Sequence, residues 1–329
     1  MPIWSGGSGW SWPGFGAGGA GDPGRRGYTA GWFSLELDNL QAPVGFVTQI
    51  DGGTFRTDPV SAYRGTDQWV GKDPGKPKFD EFSIGIGMPN SVRLFNWVKS
   101  SIENRPERHG GALVGFDNFF NKRERSRRVF SDALISEVTF PGLDAASNTP
   151  ANIILKIAPE LLKYEQGYST FNAQQARDES LKQKRWSTQN FGFRLDGFWG
   201  GGTQRNARIE SFTIKQSILE NHLGNALTPT KHAGRVEYPN LVVTFGEGNM
   251  SDWYHWYEDT LAGKITRRTG AITWLSADLR NELMRLTLDG VTLLNLEIER
   301  YEAGKEQIAR AKATLAVEGM DLFAGYGTV

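Results

Sequence analysis

The sequence contains no cysteine and only four histidines, at positions 109, 222, 232 and 255. The absence of cysteine excludes disulfide bonds, thiolate nucleophiles and metal sites with thiolate ligands. Scattered histidines leave little material for a histidine-based site. No run of about 18 apolar residues occurs, so we expect no transmembrane helix and no membrane insertion. The N-terminal segment has neither a basic region nor a continuous apolar stretch, so we expect no signal peptide.

The sequence also lacks an excess of charge and the common catalytic motifs. Its 37 basic and 37 acidic residues cancel, which gives no global attraction for nucleic acid or an anionic membrane. Gly85-x-Gly87 has no third glycine, and no Lys-Ser/Thr pair follows Gly200-Gly201-Gly202. No G-x-S-x-G or H-E-x-x-H motif is present. We therefore predict a protein that is not an enzyme, with no catalytic residues, no metal site and no cofactor.

The residues that are abundant favour strands and turns. There are 40 glycines, 11 tryptophans, 9 tyrosines and 19 phenylalanines. Apolar residues alternate with polar ones in the stretches that begin at Phe33 and Phe82, which predicts half-buried strands. A helical spacing of apolar residues follows the second stretch, at Leu94, Trp97, Val98 and Ile102. The sequence therefore predicts a mainly β protein with a helix beside the strands.

Three segments have compositions that predict irregular structure. Residues 1–27 contain ten glycines, and they carry the apolar side chains Trp4, Trp10, Trp12 and Phe15. We expect these four residues to form an assembly arm that anchors on a neighbouring surface, the alternative being a linker that packs on its own chain. The stretch that follows Gly53 and ends at about residue 78 is rich in Gly, Pro, Lys and Asp, which predicts a loop. Residues 165–187 are polar and predict a linker.

The chain repeats itself. Residues 79–102 align without a gap on residues 238–261, and Tyr238 follows Phe79 by 159 positions. The match continues to Asp132, which we align with Asp289, and to residues 151–157, which we align with 311–317. This period is far longer than that of solenoid repeats, so it predicts two whole domains. We assign them to residues 28–164 and 188–329, with chance similarity as the alternative.

These residues carry a resemblance to a known family. The stretch 82–97, with Phe82, Ile84, Ile86 and the helix up to Trp97, resembles a strand and helix of tail-tube proteins. Residues 129–148, with their Pro-Gly turn, and the final strand 153–157 are similar to later parts of the same family. The family comprises tube proteins of contractile phage tails, extracellular injection systems and type VI secretion. The resemblance covers most of residues 33–162 and, more weakly, 190–323, where the Pro-Gly turn is missing.

The resemblance implies two tandem tail-tube-like domains, each a β-barrel or sandwich with one flanking helix. Family members join into rings around a central channel. Because two domains in one chain give a six-part ring from three chains, we predict a baseplate hub or tube-initiating adaptor. The alternatives are a six-fold tube-wall subunit with an extra domain, and a terminator at the far end of the tube. The implied partners are other copies of the chain and tube, spike, sheath or baseplate proteins.

The same resemblance implies where the protein would act. We expect assembly in the bacterial cytoplasm into a virion tail or an injection particle, with genome or effector passing transiently through the channel. A candidate of another class is a carbohydrate-binding or hydrolytic β-protein, for which the exposed aromatic residues are the support. Ring formation distinguishes the two classes.

Two polar clusters are candidate sites. The basic run comprises Lys122, Arg123, Arg125, Arg127 and Arg128. It predicts a contact between rings or subunits, with a solvated hairpin tip or a channel lining for nucleic acid as alternatives. Asp252, His255 and either Asp259 or Glu258 share a helix face. They could bind a metal ion, but a solvated face is favoured because the first copy has no such ligands.

Overall fold

The computed structural model describes most of the chain after residue 29. The described ranges are 30–38, 43–63, 70–88, 91–117, 124–166, 186–198, 206–224, 226–299 and 308–325. Strands dominate these ranges, and one α-helix of 11 residues occurs in each half, which confirms the predicted fold class. We call β1–β10 with α1 the first unit, and β11–β19 with α2 the second unit.

The first unit contains ten strands and one helix. They are β1 (Ala30–Leu37), β2 (Gly45–Gly52), β3 (Phe55–Tyr63), β4 (Val70–Phe79), β5 (Phe82–Ile86), α1 (Val92–Ile102), β6 (His109–Asp117), β7 (Glu124–Phe140), β8 (Leu143–Asp144), β9 (Ile153–Ala158) and β10 (Leu161–Gln166).

The second unit contains nine strands and one helix. They are β11 (Phe191–Leu195), β12 (Asn206–Ile209), β13 (Phe212–Asn221), β14 (Thr230–Glu237), β15 (Leu241–Gly246), α2 (Ser251–Leu261), β16 (Arg268–Leu275), β17 (Glu282–Ile298), β18 (Arg310–Ala316) and β19 (Gly319–Ala324). A single 3₁₀ turn, Glu247–Asn249, precedes α2.

The first unit closes into a barrel because β7 pairs with the first strand of the series along one edge and with the last along its other edge. Its N-terminal part pairs with β6 and its C-terminal part with β9. The order β7-β6-β1-β2-β5-β9 therefore returns to β7, with every neighbouring pair antiparallel. The inward side chains of these strands, such as Leu35, Ile84 and Phe130, are buried in the core. Closure removes the open sheet edges that would otherwise remain along these strands.

The second unit repeats the strand order of the first. In the second unit, β16 and β11 follow β17 on one side, and β18, β15 and β12 follow it on the other. In the first unit, β6 and β1 follow β7 on one side, and β9, β5 and β2 follow it on the other. The register matches as well: Ile50 faces Ile84 in the first unit, and Ile209 faces Val243 in the second. Each of these second-unit residues lies 159 positions after its counterpart.

The alignment of the later strands needs a correction. Ala133 faces His109 and Val291 faces Arg268, so β7 and β17 correspond at a separation of 158, not 157 as the Asp132–Asp289 match implied. Asp132 and its counterpart Gly290 both have positive φ, 50° and 63°, beside this irregularity in the ladder. Leu155 likewise corresponds to Ala313, because they face Ile84 and Val243. The final strands are therefore also separated by 158 positions rather than 160.

The predicted loop before residue 78 is wrong, since β3 and β4 form an antiparallel hairpin there. Proline lacks a backbone donor and is tolerated where strand pairing is irregular or a strand edge is open. Pro59 faces Pro74 at a shift in this ladder, and Pro77 faces Thr57. The hairpin β13–β14 is its counterpart, with the same shift at Ile218.

The two helices are held in the same way. Trp97 and Trp256 are buried at equivalent positions of α1 and α2. Their indole Nε1 atoms donate hydrogen bonds of 3.1 Å to the carbonyl oxygens of Glu107 and Thr266, each ten residues later. A buried indole N–H needs such a partner. The tryptophan therefore fixes both the helix and the segment that leads to the next strand.

Candidate assembly site at the junction of the two units

The two units are joined by strand addition. In the second unit, β13 pairs antiparallel with the C-terminal part of β7, with Phe212 facing Phe140 and Lys215 facing Glu137. Between these pairs, the hydroxyl oxygens of Thr139 and Thr213 lie 2.9 Å apart. The hairpin β13–β14 thus extends the sheet of the first barrel. Main-chain hydrogen bonds and one buried face stabilise such an addition.

An aromatic stack fills the junction beneath this pairing. The ring of Phe140 stacks on Phe212 at a centroid distance of 5.1 Å and on Trp274 at 5.2 Å. Trp186 packs edge-on against Trp274. All four side chains are buried, and they belong to one core cluster that is continuous through both units. The junction is therefore packed like a protein interior rather than like a contact between mobile domains.

A polar clamp, formed by Arg108 and Glu160, holds the far side of the hairpin. Glu160 Oε1 accepts a 2.7 Å hydrogen bond from the backbone amide of Lys231 on β14. Arg108 pairs with Glu160 and also donates to the backbone carbonyl of Lys231. The Lys231 ammonium donates to the carbonyl oxygen of Phe79 at 3.1 Å, and burial lowers its pKa. The clamp satisfies both backbone groups of one residue of the hairpin.

The helix of the first unit also contacts the second unit. Lys99 on α1 donates a 2.7 Å hydrogen bond to the carbonyl oxygen of Leu322 on β19. Tyr238 donates one of 2.9 Å to the carbonyl oxygen of Ile102. Burial raises the pKa of Asp321, as do the charges of Glu103 and Asp289, while Lys99 and Arg105 act to lower it. Lys99 therefore offers Asp321 an opposite charge across the junction.

Each surface of this junction has a counterpart elsewhere in the chain that lies open. Within the described ranges β3 pairs only with β4, and Phe55 is 54% exposed although its counterpart Ile214 is 3% exposed. At the end of β17, Ile298 is 50% exposed, whereas its counterpart Phe140 is completely buried. The outer edge of β3 and the end of β17 are thus the exposed counterparts of the two surfaces that meet at the junction, while Lys76 on β4 donates to carbonyl oxygens of the loop between β13 and β14.

The clamp has an open counterpart too. Arg267 and Glu318 correspond to Arg108 and Glu160, and Arg267 Nε lies 2.8 Å from Glu318 Oε1. They line a cavity of about 300 Å³, together with Trp256, Thr292 and Leu293. Lys231, which the first clamp holds, corresponds to Lys72 on β4. The chain therefore carries a second clamp, Arg267 and Glu318, in the second unit and a second lysine, Lys72, in the first unit.

The basic run is not gathered at one surface in the part that the structure describes. Lys122 and Arg123 lie outside the described residues, as do Trp4, Trp10, Trp12 and Phe15 of the predicted arm. Arg125 is exposed, whereas Arg128 lies over the ring of Tyr164 at 5.5 Å.

Arg127 is an internal ion-pair partner. Its guanidinium binds Glu124 at 2.8 Å and Glu36 at 2.7 Å, and both carboxylates are buried. Burial acts to lower the pKa of Arg127, but the bonds and charges of the two glutamates outweigh this and raise it. Arg127 therefore stays charged and bridges β1 to β7 within the barrel.

The polar face of α2 makes local contacts. His255 Nδ1 lies 2.8 Å from the carbonyl oxygen of Ser251, one helical turn earlier. Asp259 pairs with Lys264 at 3.3 Å. Among the described residues, no group of three or more His, Asp or Glu side chains is placed to hold a metal ion. Within the same ranges, no helix is long and apolar enough to cross a membrane.

Sequence reasoning missed the residues that form the junction. Arg108, Glu160 and Lys231 are far apart in the chain, and no local pattern relates them. The repeat contained a signal nonetheless, because each has a residue of the same type at its counterpart: Arg267, Glu318 and Lys72. The arginine pair and the lysine pair are each 159 positions apart and the glutamate pair is 158 apart, so a search that allowed this one-position shift would have found all three pairs.

Comparisons with known proteins give remote structural neighbours. No family model matches the chain, and no curated protein matches it. A protein in the anti-feeding prophage (AFP) baseplate is similar over 41% of this chain and 91% of its own, with 16% identity and a TM-score of 0.32.

Two further neighbours match the same share of this chain. One, from the PVC sheath-tube complex of an extracellular contractile injection system, is covered over 88%, with 14% identity and a TM-score of 0.36. The other, Hcp1 from Flavobacterium johnsoniae, is covered over 96%, with 7% identity and a TM-score of 0.26. Identities and scores this low do not assign a function to this chain.

Proposed function

We propose that the chain is a structural protein of a phage tail or contractile injection system that forms a ring around the central channel. One observation carries this proposal: two units of the same strand order are joined head to tail by strand addition, and the outer surfaces of the pair remain open. A head-to-tail contact that is repeated between molecules gives a closed ring when its rotation closes. The resemblance of residues 82–97 to tail-tube proteins gives the same conclusion independently.

The specific role that we propose is a baseplate hub or tube-initiating adaptor built from three chains. Under this proposal the two units arose by tandem duplication, which their identical registers support. Three chains with two units each would give a ring of six similar positions with true three-fold symmetry. Such a ring can bind a three-fold partner such as a spike on one side and a six-fold tube on the other. The alternative within this class is a six-fold tube-wall subunit.

The role is passive in this proposal. The ring would assemble in the bacterial cytoplasm with tube, spike, sheath or baseplate proteins. Genome or effector would then pass through its channel when the surrounding particle contracts. No residue is assigned a catalytic role, because the junction explains the buried Lys231 and its partly buried partner Glu160 as structural contacts.

The first test is negative-stain imaging of the purified full-length protein, with rotational symmetry analysis of the particles. Rings with six lobes and three-fold symmetry are the expected result. Rings with true six-fold symmetry, or stacked tubes, would replace the hub by the wall subunit. Monomers at every concentration up to the solubility limit would overturn the ring function and favour the alternative of a carbohydrate-binding or hydrolytic protein.

A further inference from the structure

We propose that the hairpin β3–β4 of one chain docks on β17, α2 and the Arg267–Glu318 clamp of a second copy, in the register of the intrachain junction. This inference rests on the proposed ring function and gives its interface residue by residue. The interface residues follow from the internal repeat, because the intrachain junction shows how the counterpart of each open surface is bound.

The strand register of the docked hairpin follows from the repeat. Thr54 corresponds to Thr213, and Glu297 corresponds to Thr139, the residue that Thr213 faces. Thr54 of one chain is therefore placed opposite Glu297 of the next. By the same rule Phe55 is placed opposite Leu296. The exposed apolar side chains on both surfaces would then lie within the contact, which explains why they are not covered in the single chain.

The clamp gives a second, independent match. In the junction, Glu160 and Arg108 bind the two backbone groups of Lys231. The docked hairpin brings Lys72, the counterpart of Lys231, to Glu318 and Arg267 of the second copy. The cavity beside Arg267 is the space that the strand β4 would enter. The same three residue types therefore meet again at the same positions.

The helix gives a third match, in which the charges are exchanged. Within one chain, Lys99 on α1 donates a 2.7 Å hydrogen bond to the carbonyl oxygen of Leu322 on β19, the residue that follows Asp321. The counterparts of Lys99 and Asp321 are Glu258 on α2 and Lys163 on β10. An attraction between a lysine and a carboxylate is thus kept, although both residues have reversed their charge. The adjoining side chain Leu261 is 70% exposed, whereas its counterpart Ile102 is completely buried.

The aromatic stack has no such match. Phe140, Phe212 and Trp274 correspond to Ile298, Gly53 and Gly115. Because the counterparts are smaller, the contact between chains buries less apolar surface than the junction within the chain. We therefore expect it to dissociate on dilution while each chain stays folded.

The absence of cysteine makes a disulfide test direct. The variant Thr54→Cys with Glu297→Cys is expected to form disulfides between chains under oxidising conditions, giving covalent species of up to three chains. The matched positive control is Thr139→Cys with Thr213→Cys, which should form the same bond within one chain. The negative control is Thr54→Cys with Ile298→Cys, whose side chains point to opposite faces of their strands.

The outcomes separate this inference from the ring function. Rings that form normally but give no bond between positions 54 and 297, while the positive control does, would overturn the docking register and leave the ring function intact. Interchain bonds in the complete absence of rings would support the docking contact and overturn the ring function.

The exchanged charges give a second test that spares folding, because both residues are exposed. Glu258→Lys is expected to raise the concentration at which the assembly dissociates by about two- to five-fold, measured by analytical ultracentrifugation. Glu258→Lys with Lys163→Glu should restore the original value. A double variant that dissociates as readily as the single one would show that these residues do not meet.

Discussion

Glu160 accepts a 2.7 Å hydrogen bond from the backbone amide of Lys231, 71 residues further along the chain. This contact joins the connection between β9 and β10 of the first unit to a hairpin of the second unit. The equivalent contact, between Glu318 and Lys72, would form between two chains in the proposed assembly. Substitutions of Glu160 therefore test folding of the single chain, whereas substitutions of Glu318 test assembly.

We expect Glu160→Ala to lower the free energy of unfolding by about 1–3 kcal/mol, because it leaves the Lys231 amide without its acceptor. The matched control is Glu318→Ala, which should change the stability of the single chain by about 0.5 kcal/mol or less. Chemical denaturation at a concentration where the chain is monomeric measures both. Equal losses in the two variants would contradict the assignment of the clamp to the intrachain junction.

Phe140→Ala should destabilise the chain by about 3–5 kcal/mol, since it opens a cavity in the aromatic stack with Phe212 and Trp274. Ile298→Ala is the control, because the counterpart is half exposed and should cost about 0.5 kcal/mol in the monomer. Thermal and denaturant unfolding of the two variants compare them. A small loss for Phe140→Ala would mean that the stack does not hold the units together.

Arg127→Ala should cost about 3–5 kcal/mol, because it leaves the buried carboxylates of Glu36 and Glu124 without a cation. Arg128→Ala tests whether this depends on position in the basic run. It removes a cation over the exposed ring of Tyr164, which should cost about 0.5–1 kcal/mol. Denaturant unfolding of the two variants measures both losses. Equal losses of stability, together with weaker assembly of Arg127→Ala, would contradict the internal role of Arg127 and support the predicted contact role of the basic run.

Asp321 should make the junction less stable as pH rises through its pKa. Burial and the charges of Glu103 and Asp289 raise the pKa of Asp321 above its ordinary value of 3.8. The folded state therefore binds this proton more tightly than the unfolded state, and its stabilising effect is complete only below the unfolded pKa. Asp321→Asn should be more stable than the parent at neutral pH, with the difference shrinking on acidification towards 3.8. Denaturation of both proteins between pH 3.5 and 7 measures this difference, and a constant gap would contradict it.

Deletion of residues 1–27 tests the predicted arm. We expect the truncated chain to stay folded but to assemble at higher concentration, because the arm carries large aromatic anchors. Sedimentation of both proteins over a dilution series measures the change. Replacing Trp4, Trp10 and Trp12 by alanine in the full chain controls for the lost length. Unchanged assembly in both variants would show that the arm has another role.

Local periodicity in the sequence determined much of the fold. The alternation that begins at Phe33 and Phe82 gave strands, and the spacing around Trp97 gave α1 at its observed place. The repeat also identified α2 and the order of the later strands, because side-chain burial repeats every two residues in a strand and about every 3.6 in a helix. These features depend on neighbours in the chain, which a sequence displays directly.

Other features were decided only by tertiary structure. The hairpin β3–β4 was hidden because its prolines and glycines read as a loop, although pairing at an irregular ladder accommodates them. The one-position shift at Asp132 and Gly290 was hidden because it depends on which residues face each other across strands. The junction between Glu160 and Lys231 was hidden for the same reason. Sequence thus determined that there are two similar units, whereas only their packing decided which surfaces are used within the chain and which remain open, because burial by a distant segment leaves no local pattern.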